Sequence, residues 1–172
     1  MTNESALSGQ YLTFDLGKEL FGLDIDSVRE VLEVTEITKV PHTRDYMRGI
    51  INVRGQAVPV VDLRLKFGLK AGEMTVDTCI IIVEVKIDGE SLVLGLLVDG
   101  VEEVLGLGEE SIEPPPRFGT SINARFMRGI GKQEEKFIII LDIQEVFSDD
   151  ELSDIAASPE KSAGEEVNMS RA

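Results

Sequence analysis

The chain has 172 residues, the length of one ordinary domain, and at 42% hydrophobic it carries enough apolar material for a real core. Its 32 acidic against 17 basic residues leave a net charge of -15, which argues against nucleic-acid or anionic-membrane binding because no basic stripe offsets it. The single cysteine, Cys79, excludes an internal disulfide and suits a reducing compartment.

The opening MTNESALSGQ has neither a basic start nor an apolar run, so no secretory signal is expected, and residues 1–9 read as a flexible terminus. Tyr11–Leu16 alternates as a strand does. SVREVL, Ser27–Leu32, is expected to form a short helix. Arg54-Gly55 separates two strand-like runs, the second being Gln56–Val61, and so tops a hairpin. A short helix over Asp62–Phe67 stops at Gly68. Thr78–Ile87 is dense in Val and Ile, and Asp88-Gly89 turns it into a partner strand over Ser91–Val98. The longest apolar stretch, CIIIVEV, is too short to span a bilayer. Pro114-Pro115-Pro116 marks a loop, and Phe137–Leu141 is a continuous apolar run of strand length. A last helix is expected near Ser148–Ala157, opened by Ser148 and Glu151 at capping-box spacing. Beyond it, residues 158–172 turn small, polar and acidic, and read as a flexible tail.

The chain is written twice. Tyr46-Met-Arg-Gly-Ile50 returns as Phe126-Met-Arg-Gly-Ile130, and the same offset of 80 lays AVPVVDLRLKF (57–67) over FIIILDIQEVF (137–147). Upstream, FGLDIDSVREVL (21–32) lies over LGLLVDGVEEVL (94–105) at an offset of 73, pairing Gly22 with Gly95, Val28 with Val101 and Glu30 with Glu103. Each half, roughly 15–85 and 86–147 of an ordered region 10–150 and intertwined in sequence with the other, supplies about five short strands. Five strands close economically into a small barrel without exposed edges. The expected fold is mostly β: two five-stranded barrels sharing a core, a groove between them, short helices and a C-terminal helix.

Catalytic constellations are absent from this reading. The one histidine, His42, sits in VPHTR as a loop or surface residue, with no nucleophile motif beside it. One histidine and one cysteine cannot make a zinc site, and neither a calcium loop nor a phosphate loop is present. Cys79 reads as a small buried hydrophobe. Binding is the better class, and the repeat acts as a filter. Residues kept in both copies, such as Met47/Met127, Gly49/Gly129 and Asp62/Asp142, read as scaffold: a strand entry, a turn and a helix cap. Asn52-Val53-Arg54-Gly55 is replaced by Lys132-Gln133-Glu134-Glu135, so this stretch is free to be functional. Spacing alone leaves Arg54 with two readings, a solvated turn residue or an anchor projecting into the groove between the barrels.

The run YMRGIINVRGQAVPVVDLRLKFG, preceded by FGLDIDSVREVLEV and followed by LGLLVDGVEEVLGL, closely resembles the CheW family of bacterial chemotaxis coupling proteins over residues 10–150. The resemblance implies two SH3-like barrels and a non-catalytic adaptor without cofactor or metal. Such an adaptor joins the cytoplasmic tip of chemoreceptors to the regulatory domain of a CheA-type histidine kinase. It implies receptor-side positions at Val28, Glu30, Val31, Gly49, Asn52 and Arg54, with Gly95 and Val98 from the second half. Glu30 and Arg54 are expected to interact, and the resemblance favours the anchoring reading of Arg54. A double barrel serving another pathway, such as surface motility, is the alternative.

Overall fold

The computed structural model describes residues 9–41, 43–70, 72–115 and 125–156. His42, the triproline's last member and the 158–172 tail therefore lie outside the described residues. The first hairpin joins β1 (Gln10–Leu16) to β2 (Glu19–Asp24) through Gly17, whose φ is 61°. After a single 3-10 turn at Ile25–Ser27 come β3 (Val28–Glu33), β4 (Met47–Val53), β5 (Gln56–Asp62) and the one-turn helix α1 (Leu63–Lys66). The second long hairpin is β6 (Cys79–Ile87) with β7 (Glu90–Val98). Then follow β8 (Gly100–Gly106), β9 (Ile112–Glu113), β10 (Met127–Gln133), β11 (Lys136–Leu141) and α2 (Ile143–Val146). A final helix, α3, begins at 149 and is described to 156.

Two sheets form, one ordered β8-β1-β2-β11-β10-β9 and the other β3-β6-β7-β5-β4. The sheets do not follow the sequence halves 15–85 and 86–147. Each repeat begins with a hairpin, β1–β2 or β6–β7, and the two hairpins are exchanged. β2 therefore pairs in parallel with β11, Gly22 opposite Ile140, and β7 pairs in parallel with β5, Gly95 opposite Val60. These two pairings superimpose under the repeat offsets, so a pseudo-twofold relates the sheets. The exchange has a packing reason. A repeat that kept its own hairpin would form a small separate core, whereas exchange ties both halves to one interior.

That interior has three compartments. Phe14, Leu16 and Leu23 from one sheet meet Ile81, Val83 and Leu96 from the other in a shared core. Ile51, Val58, Val60, Ile80, Ile82 and Leu97 fill the inside of the β3–β7 sheet alone. Tyr11, Leu107, Ile138 and Ile140 fill the inside of the other. The apolar run of β6 is thus buried on both faces, odd residues toward the shared core and even ones inward, at about 1.5–3 kcal/mol per side chain.

The helix expected over Ser27–Leu32 is instead strand β3. Its exposure alternates along VREVLE, which is a two-residue period, and it pairs with β6 through Val31 opposite Ile81. The apolar positions 28, 31 and 32 have the i, i+3, i+4 spacing of a helix face, but β6 offers an open edge that a β-branched segment satisfies better than a lone helical turn. A register shift between Val28 and Glu30 sets Val28 and Val31 opposite Val83 and Ile81. The helix caps are as the repeat implies. Asp62 accepts from Arg64 N and Asp142 from Gln144 N, at 3.0 and 3.1 Å. The capping box of α3 is closed in both directions, Ser148 N to Glu151 Oε1 at 2.8 Å and Glu151 N to Ser148 Oγ at 3.1 Å. Gly49 is not in a turn, as its place in the repeat suggested. It lies within β4 at a register shift, with φ 138°, and a Cβ there would stand 2.1 Å from the Thr38 carbonyl oxygen.

Candidate functional site

The β4–β5 turn places Arg54 and Gly55 at φ 50° and 88°, a backbone shape that glycine tolerates and arginine adopts at a cost. Asn52 holds the turn, its Oδ1 accepting from Gly55 N at 2.7 Å. So fixed, the Arg54 side chain reaches across to Glu30 on β3 in a two-pronged ion pair, Nη1 to Oε1 at 3.4 Å and Nη2 on Oε2. The Arg54 side chain is 72% exposed and that of Glu30 28%, so the guanidinium remains available to solvent. Arg54, first by its hydrogen bond and then by its charge, holds the Glu30 carboxyl below the usual carboxylate range. Beside it, Arg29 pairs with Glu84 at 2.9 Å.

Arg29, Glu30 and Arg54 rim a cleft of about 220 Å³ whose floor is Val53, Val58, Ile82 and Val93, with Gln56 at its edge. Every lining residue belongs to the β3–β7 sheet or to its β4–β5 turn. Arg54 therefore does not project into a groove between the barrels, as the anchoring reading had it. It spans the mouth of its own barrel, because the turn that carries it faces the β3 edge of the same sheet.

The other expected site residues divide in two. Val31 is 41% exposed, and Val28, half-buried against the shared core, lies on the same strand as Glu30. Gly49, Gly95 and Val98 are buried. A Cβ on Gly95 would lie 2.7 Å from Ile80 Cγ2, and Val98 is wholly enclosed in the shared core, so neither offers a side chain at the surface. Arg29 and Gln56 were not among the expected site residues, whereas Val53 stood in the stretch that the repeat sets apart. Each neighbours a residue already singled out: Gln56 pairs with Val53 across β4 and β5, and Arg29 adjoins Glu30 on β3. Val104, 48% exposed, is the repeat partner of Val31 and was readable from the same offset of 73.

At the pseudo-equivalent place in the other sheet stand Glu103 and Glu134, two acids that cannot pair. Glu134 keeps the turn's positive φ of 55°, and Glu103 is tied by its backbone to Thr13 Oγ1, accepting at 2.7 Å and donating at 3.1 Å. Lys132 pairs with Glu113 instead, at 2.7 Å. The backbone device is repeated and the ion pair is not. Among the described residues no helix is long and apolar enough to cross a membrane.

Fold and site together define a double-barrel β protein with one ion-paired cleft breaking its internal symmetry. Residues 10–151 match the CheW-like domain family. The chain is 34% identical to the chemotaxis protein CheW of Klebsiella aerogenes over 84% of each chain, and 31% identical to that of Treponema pallidum over 86% of each. Among solved structures it resembles the scaffolding protein TtCheW from Thermoanaerobacter tengcongensis, with a TM-score of 0.72, 42% identity, and coverage of 82% of this chain and 93% of that one. The chain belongs to the CheW-like family of chemotaxis scaffold proteins, and the two sheets are its SH3-like barrels.

Proposed function

We propose that the chain is a non-catalytic cytoplasmic adaptor that couples the cytoplasmic tips of chemoreceptors to a CheA-type histidine kinase in receptor arrays. The receptor lies along β3, on Val28 and Val31, with Arg54 as its polar anchor. The observation that carries this reading is the asymmetry of the two repeats: one sheet has the Glu30–Arg54 pair over an apolar-floored cleft, and the equivalent place holds two acids. A helix lying on an apolar strip and held in register by one charged contact is a known recognition mode. Asn52 supports the anchor by fixing its turn, and Gly49, Gly95 and Val98 keep the strands beneath in place. The kinase docks elsewhere on the barrels.

The test is Arg54→Ala in the full chain, assayed for binding to a receptor signalling fragment and to the kinase separately. Receptor binding and receptor-dependent kinase control fall by about tenfold or more, while kinase binding is retained. Glu134→Ala, at the equivalent turn, changes neither. Equal receptor affinity for wild type and Arg54→Ala would overturn the assignment.

A further inference from the structure

The pseudo-twofold relates two further places, where the residue after a one-turn helix meets the residue before a strand. In one, Phe147 beyond α2 packs against Tyr46 ahead of β4, ring centroids 6.1 Å apart. In the other, Phe67 beyond α1 stacks on Phe126 ahead of β10 at 4.8 Å. The first place is covered by α3. Its Leu152 and Ile155 are each 1% exposed within the shared core, and its Glu151 accepts from the Tyr46 hydroxyl at 2.6 Å. Lys66 pairs with Glu151 at 3.3 Å, and Arg44 pairs with Asp154 at 2.7 Å.

No described element covers the second place. After α1 the chain turns at Gly68, φ 80°, and leaves Leu69 40% exposed. A hollow of about 310 Å³ opens there, walled by Leu16, Phe21, Phe67, Leu69, Phe126 and Ile139. Its aromatic wall continues inward, Phe67 on Phe21 and Phe21 on Phe14, each pair 5.9 Å apart, so the hollow is an opening onto the shared core.

We propose that this hollow is a docking site for a short amphipathic helix of a partner protein. The helix is seated as α3 is seated on the equivalent face, with two aliphatic side chains three residues apart against Phe67 and Phe126. The equivalent face shows the geometry such walls accept, since Leu152 and Ile155 have that spacing. Charge decides the partner's polar face and excludes the α3 of a second copy. α3 is acidic and is held by Lys66 and Arg44, whose repeat counterparts are Val146 and Ala124. The hollow thus lacks both cations that α3 uses, the Lys18 and Glu19 in its lining offset one another, and the chain's net charge of -15 favours a neutral or basic helix. This site lies apart from the Glu30–Arg54 cleft and stands independently of what that cleft binds.

The experiment uses the full chain labelled at its Ile, Leu and Met methyls, titrated with a stapled helical peptide carrying Leu and Ile three residues apart and lysines on its other face. Methyl signals of Leu16, Leu69 and Ile139 shift saturably, and a peptide with both aliphatics replaced by Asp shifts none. Leu69→Glu changes an exposed residue, so the variant keeps its melting temperature and loses about tenfold or more in affinity. Absent shifts, shifts confined to the Glu30–Arg54 cleft, or undiminished binding by Leu69→Glu would overturn the proposal. So would the same methyls shifting with protein concentration alone, which would make a second copy the occupant.

Discussion

Arg54 and Glu30 form an ion pair across the two edges of a single sheet, joining the turn beyond β4 to β3, strands that share no ladder. The pair closes a barrel mouth that backbone hydrogen bonds leave open. Because Arg54 is mostly exposed, the link is weak as a staple and well placed as a handle.

Reversing the pair separates these roles. Arg54→Glu sets a like charge beside Glu30 and abolishes receptor binding, with a small loss in melting temperature. The double variant Glu30→Arg with Arg54→Glu restores the pair and the wild-type melting curve. Receptor affinity, measured by calorimetry, stays low in the double variant, because the cation has moved from the turn to the strand. Full recovery of affinity would mean that the receptor reads only the pair's closure of the mouth.

Gly49→Ala is a folding mutation first. Its φ of 138° and the Thr38 carbonyl 2.1 Å from the new Cβ leave the side chain nowhere to go. Chemical denaturation should show a loss of about 3 kcal/mol or more, with kinase and receptor binding falling together. Intact stability with loss of receptor binding alone would show Gly49 to be a contact residue.

Arg64 is a buried cation with side-chain exposure of 2%, bonded to Asp62 at 2.9 Å and to Asp99 at 3.0 Å. Arg64→Met leaves the fully buried Asp62 with the backbone N–H of residue 64 and, as its remaining cation, the half-exposed Arg48 at 3.1 Å, and should cost about 3–5 kcal/mol in urea unfolding. Its repeat counterpart Gln144 carries no charge and instead binds the backbone of Lys86, accepting from its N at 2.9 Å. Gln144→Met should cost about 1 kcal/mol.

The pH dependence turns on Asp15, whose pKa is pushed up to about 6 by burial, then by the hydrogen bond and charge of Glu102, then by Asp99. The folded state therefore holds this proton more tightly than the unfolded chain does, and stability from this group falls as pH rises from about 4 to 6. Below about pH 4 the proton is bound in both states and the group contributes no slope. Asp15→Asn should raise the melting temperature at pH 7 and flatten the pH 4–6 slope in thermal scans. A variant less stable than wild type at pH 7 would show that Asp15 is wanted charged.

Much of this fold was readable from residues, and the failures have physical causes. The caps Asp62 and Asp142, the Asp88-Gly89 turn and the Ser148–Glu151 box each rest on local chemistry, and each stands where the sequence put it. The helix expected at β3 followed from three apolar positions at i, i+3 and i+4, and the open edge of β6 overrides that spacing through a register shift between Val28 and Glu30. Intertwined halves were expected, but which strands cross was hidden for a different reason. Gly22 and Gly95 align in sequence whichever sheet receives them, so the repeat carries no record of which half each hairpin joins. At the site, the Glu30–Arg54 pairing came from the family resemblance alone, since Glu103 mirrors Glu30 and masked it from the repeat filter. The geometry moved Arg54 from between the barrels to the mouth of one, a placement fixed by which strand its turn faces.

The exchanged hairpins also set an order of assembly. The β3–β7 sheet is drawn from one continuous stretch, 28–98, and can close as soon as β7 has been made. The other sheet cannot: β2, among the first strands synthesised, waits for β11, its partner 118 residues later at Phe21 and Ile139. Contacts so distant along the chain close slowly, and until they do one face of the shared core is bare. On the ribosome, then, this protein exists for a time as one finished barrel trailing an unmated hairpin at its front. Stalled chains of increasing length should gain protease resistance over 28–98 well before residues 10–24. During that interval the nascent chain depends on whatever shields apolar strands in the cell.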